Sequence, residues 1–589
     1  MKPESMRNTS LLLALAFVTS ACGSTPAIQR IPPVQTVSVA AADATTGPAL
    51  HETVISDHGM VVSATGVASE VGREVLRNGG NAVDAAVATA FALEVTYPTA
   101  GNIGGGGFMV IRFPDGTATT FDFREKAPLK ANPRMFLDST GKYSSGIHHN
   151  SHLAVGVPGS VAGLAAAHAK YGKMSWSELV RPSVRLAETG ITVTPNLARS
   201  LRGTLSAFRR YPASLAAYSK AGVAYEVGEI FKQPDLARTL ARIMLEGRDG
   251  FYRGETARLL AEEMKRGGGW ITEEDMARYQ AKERPAIRTT YRGYDVIGMA
   301  PPSSGGVGVA EMLNILEGYD LGKMGYMSAP YIHHVTEAMR RTYMDRALYV
   351  ADPEFSAVPV ARLTSKEHGA KQRSTIDETH ASISNTSDVN VPAESDFTTH
   401  FSVVDKDGMA VSMTTTLEDA YGSKITVAGA GFLLNNEMGD FNAAPGMTTE
   451  AGLIGTSPNL ARPQQRMISS MTPTILAKNG KLIAVIGSPG GRTIINTVLC
   501  VALDIMDFNM TIQDAVNAPR MHHQWLPDQL TIEANGATPE VAMQLEAMGH
   551  KVRVQGQQGS VHAIAIDPVT GKRIGAPDKR DGDGSAAGH

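Results

Sequence analysis

Apolar positions recur with helical spacing over residues 68–93 and are interrupted by Gly79-Gly80, so the pattern predicts two helices, the second capped by Asn81. Gly104-Gly105-Gly106-Gly107 then leads into a predicted hairpin. Its strands are residues 108–113 and 117–124, around a Pro114-Asp115-Gly116 turn. Residues 160–349 read as mostly helical, with the clearest runs at 176–188, 234–246, 255–266 and 329–350. The character changes at 365–397, which has almost no large apolar side chains and is rich in Ser, Thr, Asp, Glu and Lys. Such a stretch buries too little surface to offset its ordering entropy, so a chain break there leaves the core intact. A buried hairpin begins directly afterwards. It reads Thr399-His400-Phe401-Ser402-Val403-Val404-Asp405, a Lys406-Asp407-Gly408 turn, then Met409-Ala410-Val411-Ser412-Met413. Strand-like patterns dominate to residue 434 and return at 473–486. Helices are expected at 492–506 and 539–547, and residues 578–589 read as frayed.

A hydroxyl residue heading a buried strand, just after a segment fit for cutting, is what an N-terminal nucleophile requires. Cleavage between Phe397 and Thr398 would give Thr398 both a hydroxyl and a free α-amine. With a reference pKa of roughly 7.7–8.0, that amine can act as the hydroxyl's own base. The plainer reading is a surface Thr-Thr pair at a strand edge.

The chain start narrows the compartment. Lys2 and Arg7 precede the apolar run Leu11-Leu12-Leu13-Ala14-Leu15-Ala16-Phe17-Val18, followed by Thr19-Ser20-Ala21-Cys22. This is the form of an export signal over residues 1–21, and its apolar run is too short to span a bilayer. Cys22 after small residues resembles a bacterial lipoprotein box, with Thr19 where Leu is usual. Lipidation of Cys22 would leave residues 22–53, rich in Ala, Thr, Pro and Ser, as a tether. The expected location is therefore periplasmic, with a lipid anchor at the outer membrane as the membrane contact. The second cysteine, Cys500, lies in an apolar run, so no disulfide framework is expected.

At 589 residues, 43% hydrophobic and 19% charged, with net charge −3, the chain has a globular composition and no electrostatic footprint for nucleic acid. His148-His149, His152, His333-His334 and His522-His523 lack zinc-ligand spacing, so neither metal nor cofactor is expected.

Other groupings offer chemistry. Gly487-Ser488-Pro489-Gly490-Gly491 sits between a strand and a helix, which suits an oxyanion hole, with a phosphate cradle or plain turn as alternatives. Arg124 could grip a carboxylate bidentately or form a surface pair with Glu125. Glu437 and Asp440 on one turn suit a cation such as an ammonium, or are solvated acids. Ser469-Ser470 offer paired hydroxyls whose usual fate is capping or turn bonding.

Together these segments resemble the γ-glutamyltranspeptidase (glutathione hydrolase) family of N-terminal-nucleophile hydrolases, from about Ala64 to the end. The motifs are Gly104–Gly107 with Phe108, Phe123-Arg124-Glu125, the segment from Thr398 to Asp405, Leu433-Leu434-Asn435-Asn436, Ser469-Ser470-Met471 and the 487–491 turn. The resemblance implies an α+β fold, a four-layer αββα sandwich formed jointly by a large subunit, residues 54–397, and a small catalytic subunit, residues 398–589, cut from one precursor. It implies a γ-glutamyl-enzyme on Thr398, resolved by water or by an acceptor amino acid or dipeptide. Thr416 would hydrogen-bond the Thr398 hydroxyl, and Gly490 and Gly491 would form the oxyanion hole. Arg124, Ser469 and Ser470 would hold the donor's α-carboxylate, and Glu437 and Asp440 its ammonium.

Two departures stand out. Glu418 replaces an Asn common in the family, adding a third acid that would favour a cation or force one carboxyl pKa upward. In the presumed lid, residues 445–456, Ala451 stands where some members carry a tyrosine. The expected donors are glutathione and related γ-glutamyl compounds. A glutaryl-cephalosporin acylase of the same fold is the alternative, and a non-catalytic ligand-binding surface lipoprotein is a more distant one.

Overall fold

The alternation around Thr398 places successive side chains on opposite sheet faces, and those faces meet different partners. Phe401 and Val403 pack with Val61, Val411, Met413 and the helices Gly66–Arg77 and Ala82–Thr96. Val404 packs on the other side, with Met60, Val296, Ile475 and Val485. On that face Ser402 Oγ donates to His562 O at 2.8 Å, bonding directly to the opposing sheet. Each fully buried aliphatic side chain contributes about 1.5–3 kcal/mol, so a one-residue slip of this strand would forfeit both cores.

The computed structural model describes residues 51–101, 103–385, 397–447, 449 and 455–589. The signal segment, Cys22, the tether and Ala451 lie outside the described residues. One seven-stranded sheet runs in the order Val54–Ser56, Arg573–Pro577, His562–Ile566, Lys481–Ile486, Thr474–Lys478, Tyr294–Gly298, Ile287–Tyr291. The other runs Ser585–Gly588, Met60–Ser63, Phe397–Val404, Ala410–Glu418, Gly106–Arg112, Ala118–Asp122, Lys282–Pro285. Helices Gly305–Leu316 and Thr493–Met506 cover the first sheet, and Gly66–Arg77 and Ala82–Thr96 cover the second. This is the expected four-layer αββα sandwich. Each sheet takes strands from both sides of Thr398. No helix among the described residues is long and apolar enough to cross a membrane.

Local chemistry fixes the covering helix at the site's back. Asn81 Oδ1 accepts from the N–H groups of Val83 and Asp84 at 3.0 Å, and Asp84 returns the bond to Asn81 N. Asp405, in the hairpin turn, accepts from Ala82 N at 3.1 Å and ties the helix start to the nucleophile strand.

Four expectations need correction. Residues 282–298, read as helical, form three strands; the alternation at Ile287–Tyr291, with Ile287, Thr289 and Tyr291 buried and Arg288 and Thr290 exposed, is a strand signal. The chain end is not frayed: Ser585–Gly588 pairs with Met60–Ser63 as a sheet edge, and buried Asp578 accepts from Arg520 at 2.5 Å. Small residues carry little periodic signal, yet only they fit there, since a Cβ on Gly588 would stand 2.6 Å from Ser56 Cβ. Within the polar stretch, Lys366–Arg373 is a helix capped by Ser365. Arg341 Nη2 bonds Thr375 O at 2.7 Å just beyond it. Finally, strand structure stops at Glu418, and turns carry the chain to residue 434.

Candidate active site

Phe397–Val404 pairs antiparallel with Ala410–Glu418, matching Thr398 with Thr416, with a register irregularity between Phe397 and Thr398. The offset puts the Thr416 hydroxyl between two groups. It accepts from the Thr398 hydroxyl at 3.4 Å and donates to Phe397 O at 2.9 Å. Glu418 N–H donates to the same oxygen at 2.8 Å, and Glu418 itself turns the strand end with φ of 77°. Thr398 thus sits in a hydroxyl chain aimed at the carbonyl of its own preceding peptide bond.

Facing it is a buried charge cluster. Arg124, fully buried two residues past the end of Ala118–Asp122, donates to Glu437 Oε1 and Asp440 Oδ2, to Ile468 O at 2.9 Å, and lies 3.6 Å from Glu125. Its backbone is clamped by Asp122 at its N–H and by the Tyr279 hydroxyl, 2.7 Å from its carbonyl. Glu437 and Asp440 share one turn of 3-10 helix. That turn is held by Asn435, whose amide donates to Gly104 O and Gly156 O at 2.8 Å and whose Oδ1 accepts from Glu437 N at 3.0 Å. Glu437 Oε2 is buried without a partner among the described residues.

Burial governs the protonation. It raises Glu437 to about 8 despite the Arg124 charge, and Glu125 to about 8. Burial, then the Asp440, Asp419 and Glu437 charges, push Glu418 well above the carboxylate range. Burial alone would lower Arg124, but Glu437, Asp440 and Glu125 outweigh it and hold the guanidinium charged. One cation among so many acids favours a second cation.

The third wall is the Gly487–Gly491 turn before helix Thr493–Met506. Gly490 and Gly491 take φ of 129° and 52°, a region that favours glycine. Thr493 bonds back to Gly490 O from its hydroxyl at 2.7 Å and its N–H at 3.0 Å. Neither N–H of the glycine pair has an acceptor among the described residues. Ser469 and Ser470 form the remaining wall, with Met471 N bonded to Ser469 Oγ at 3.2 Å.

A pocket of about 250 Å³, open solvent space included, is lined by Arg124, Thr398, Thr416, Glu418, Glu437, Asp440, Ser469, Ser470 and Gly491, with Met471 and Ile494. Of the residues to which the resemblance gives a catalytic or donor-binding role, all line it, with Glu418, except Gly490, the chain neighbour of Gly491. Met471 and Ile494 were missed as lining residues, although Met471 ends a recognised motif and Ile494 lies in the first helical turn after the glycines. Also missed was His149, whose Nδ1 lies 3.3 Å from Glu418 Oε1; nothing in a His-His pair signals that contact. Outside the site, Glu311, Asp345 and His368 cluster closely enough to be compatible with a metal. His368 Nε2 lies 2.6 Å from Asp345 Oδ2, and Glu311, then Asp345, raise the His368 pKa.

The family described as Gamma-glutamyltranspeptidase matches residues 68–588. A glutathione hydrolase proenzyme of Escherichia coli (strain K12) is 42% identical over 593 residues, covering 100% of both chains. One of Pseudomonas sp. (strain A14) is 44% identical over 546 residues, covering 91% of this chain and 95% of that protein. Among solved structures, a cephalosporin acylase from Bacillus halodurans superposes with a TM-score of 0.80 at 27% identity, over 92% of this chain and 98% of that one.

Proposed function

This chain belongs to the γ-glutamyltranspeptidase family, and from that premise we propose a self-processing γ-glutamyl hydrolase and transferase with Thr398 as nucleophile. The supporting observation is the placement of Thr398 and Thr416 in one cavity with Arg124, Glu437 and Asp440.

In processing, the Thr398 hydroxyl attacks the Phe397 carbonyl carbon, and its proton ends on the Thr398 nitrogen, which leaves as the amine. The carbonyl oxygen gains charge against the Thr416 donor, and the C–N bond breaks to leave an ester. Water hydrolyses the ester, freeing the Phe397 carboxylate and the Thr398 amine. Residues 54–397 and 398–589 then form the large and small subunits.

In turnover, the Thr398 hydroxyl attacks the γ-carbonyl of the donor and its proton goes to the α-amine. The oxyanion is met by the Gly490 and Gly491 N–H groups, each such donor being worth roughly 3–4 kcal/mol. The leaving amine takes the proton and departs. Water or the amine of an acceptor amino acid or dipeptide then resolves the γ-glutamyl ester. Arg124, Ser469 and Ser470 bind the donor's α-carboxylate. Glu437, Asp440 and Glu418 bind its ammonium, with Glu437 Oε2 available to it. Entry of the zwitterion exchanges partners, the carboxylate taking over Arg124 donors now held by the two acids. Glutathione and related γ-glutamyl compounds carry this head group.

A glutaryl-specific acylase is the second reading, favoured by the 0.80 superposition. A glutaryl group has no ammonium to meet Glu437, Asp440 and Glu418, and so forgoes the contact that these acids are placed to make. Turnover of γ-glutamyl anilide should therefore far exceed that of glutaryl anilide, and the reverse order would overturn the assignment. The proposed setting is the periplasm, with Cys22 lipidated. Labelled palmitate should enter the wild type and not Cys22→Ser.

A further inference from the structure

The helix Ala329–Tyr349, which precedes Thr398 in the chain, supplies a buried cation behind the serine wall. Arg346 Nη2 donates to Ser470 Oγ at 3.0 Å, and its Nε donates to Ser304 Oγ at 2.9 Å. Ser304 in turn donates twice to the Ser469 carbonyl, from its hydroxyl and its backbone N–H, both at 2.7 Å. Arg346 is 5% exposed and lines, with Ser304 and Tyr343, a pocket separate from the one that holds Thr398. One turn earlier on the same helix, the Tyr343 hydroxyl donates to the carbonyl of Arg492, the residue after Gly491.

From this arrangement we infer that Arg346 is a positioning residue that sets selectivity for donors bearing an α-carboxylate. The inference rests on the proposed role of Ser469 and Ser470. A hydroxyl oxygen that accepts from a guanidinium must turn its hydrogen elsewhere, and polarisation makes that hydrogen a stronger donor. Ser470, which lines the nucleophile's cavity, is so arranged. The second arm fixes the Ser469–Ser470 peptide through Ser304, so both serines are held by one planar fork. A lysine has a point charge and no fork, and cannot serve Ser304 and Ser470 with the same geometry. The large subunit thereby specifies a substrate contact made by the small one.

The test compares L-γ-glutamyl anilide with γ-aminobutyryl anilide, which keeps the amine and lacks the α-carboxylate. Arg346→Met should raise KM for the glutamyl donor about tenfold with kcat nearly unchanged, as expected for one lost charge-assisted contact. It should leave KM for the aminobutyryl donor within about twofold, and Arg346→Lys should fall between wild type and Arg346→Met. An equal KM rise for both donors, or none for either, overturns the role. Should Arg346→Met fail to fold, Arg346→Lys carries the same comparison. Ser470→Ala separates the two layers. If it raises glutamyl KM while Arg346→Met does not, only the positioning role falls. If Ser470→Ala also changes nothing, the carboxylate subsite itself is wrong.

Discussion

The Thr416 hydroxyl donates to the carbonyl oxygen of Phe397 at 2.9 Å, while the Thr398 hydroxyl approaches the same Thr416 oxygen at 3.4 Å. One side chain therefore touches both the nucleophile and the oxygen that becomes negative when the chain cuts itself. The register of the strand pair shifts at this point, between Phe397 and Thr398.

Removing that donor should slow self-cleavage. Thr416→Ala is expected to reduce the cleavage rate about 100-fold or more, the usual effect of deleting one oxyanion donor, whereas Thr416→Ser keeps most of it. Timed gels of freshly purified precursor give the rates. Equal rates for Thr416→Ala and wild type would remove Thr416 from the reaction.

Arg124→Ala leaves Glu437, Asp440 and Glu125 buried without their cation. Stability should fall by about 3–5 kcal/mol, and KM for α-carboxylate donors should rise in the folded fraction. Denaturant melts read the first effect and anilide kinetics the second. An unchanged KM would mean that Arg124 serves structure alone.

Donor affinity should depend on pH through Glu437. Burial raises this carboxyl to about 8, so in the empty site it is mostly protonated at pH 7. Binding an ammonium favours the ionised form, and below about 8 the proton must first leave. KM should therefore fall as pH rises from 6 to 8, by up to about tenfold per unit. Glu437→Gln should flatten this slope. A KM that rises with pH over that interval would contradict the assignment.

Glu94 makes a separate stability prediction. Burial raises it to about 8, opposed by a hydrogen bond from the Ile103 backbone, and its Oε2 has no partner among the described residues. Between its ordinary value and about 8 the native state keeps a proton that the unfolded state has lost. Stability present at low pH is thus lost as pH rises through that window, at up to about 1.4 kcal/mol per unit. Glu94→Gln should melt higher than wild type at pH 8 and nearly equal at pH 5.

The chemistry was more legible in the sequence than the framework that holds it. Thr398, Arg124, Glu437 and the glycine turn announce themselves because hydroxyl, guanidinium, carboxylate and glycine have few cheap uses when buried. Arg346 and Asn435 act by joining segments more than 120 residues apart, and no local pattern encodes such a pairing. The strand at Ser585–Gly588 was lost for a related reason. Its small residues answer to close packing against Met60–Ser63 rather than to any apolar period. The strands at 282–298 were readable by alternation, and the surrounding helices masked them.

The most direct measurement is N-terminal sequencing of the smaller fragment of purified, active protein, beside the same preparation of Thr398→Ala. The expected result is a fragment beginning Thr-Thr-His in the wild type, and an intact, inactive chain in the variant. Full activity from an uncut polypeptide, or a cut elsewhere that Thr398→Ala leaves unaffected, would contradict the account.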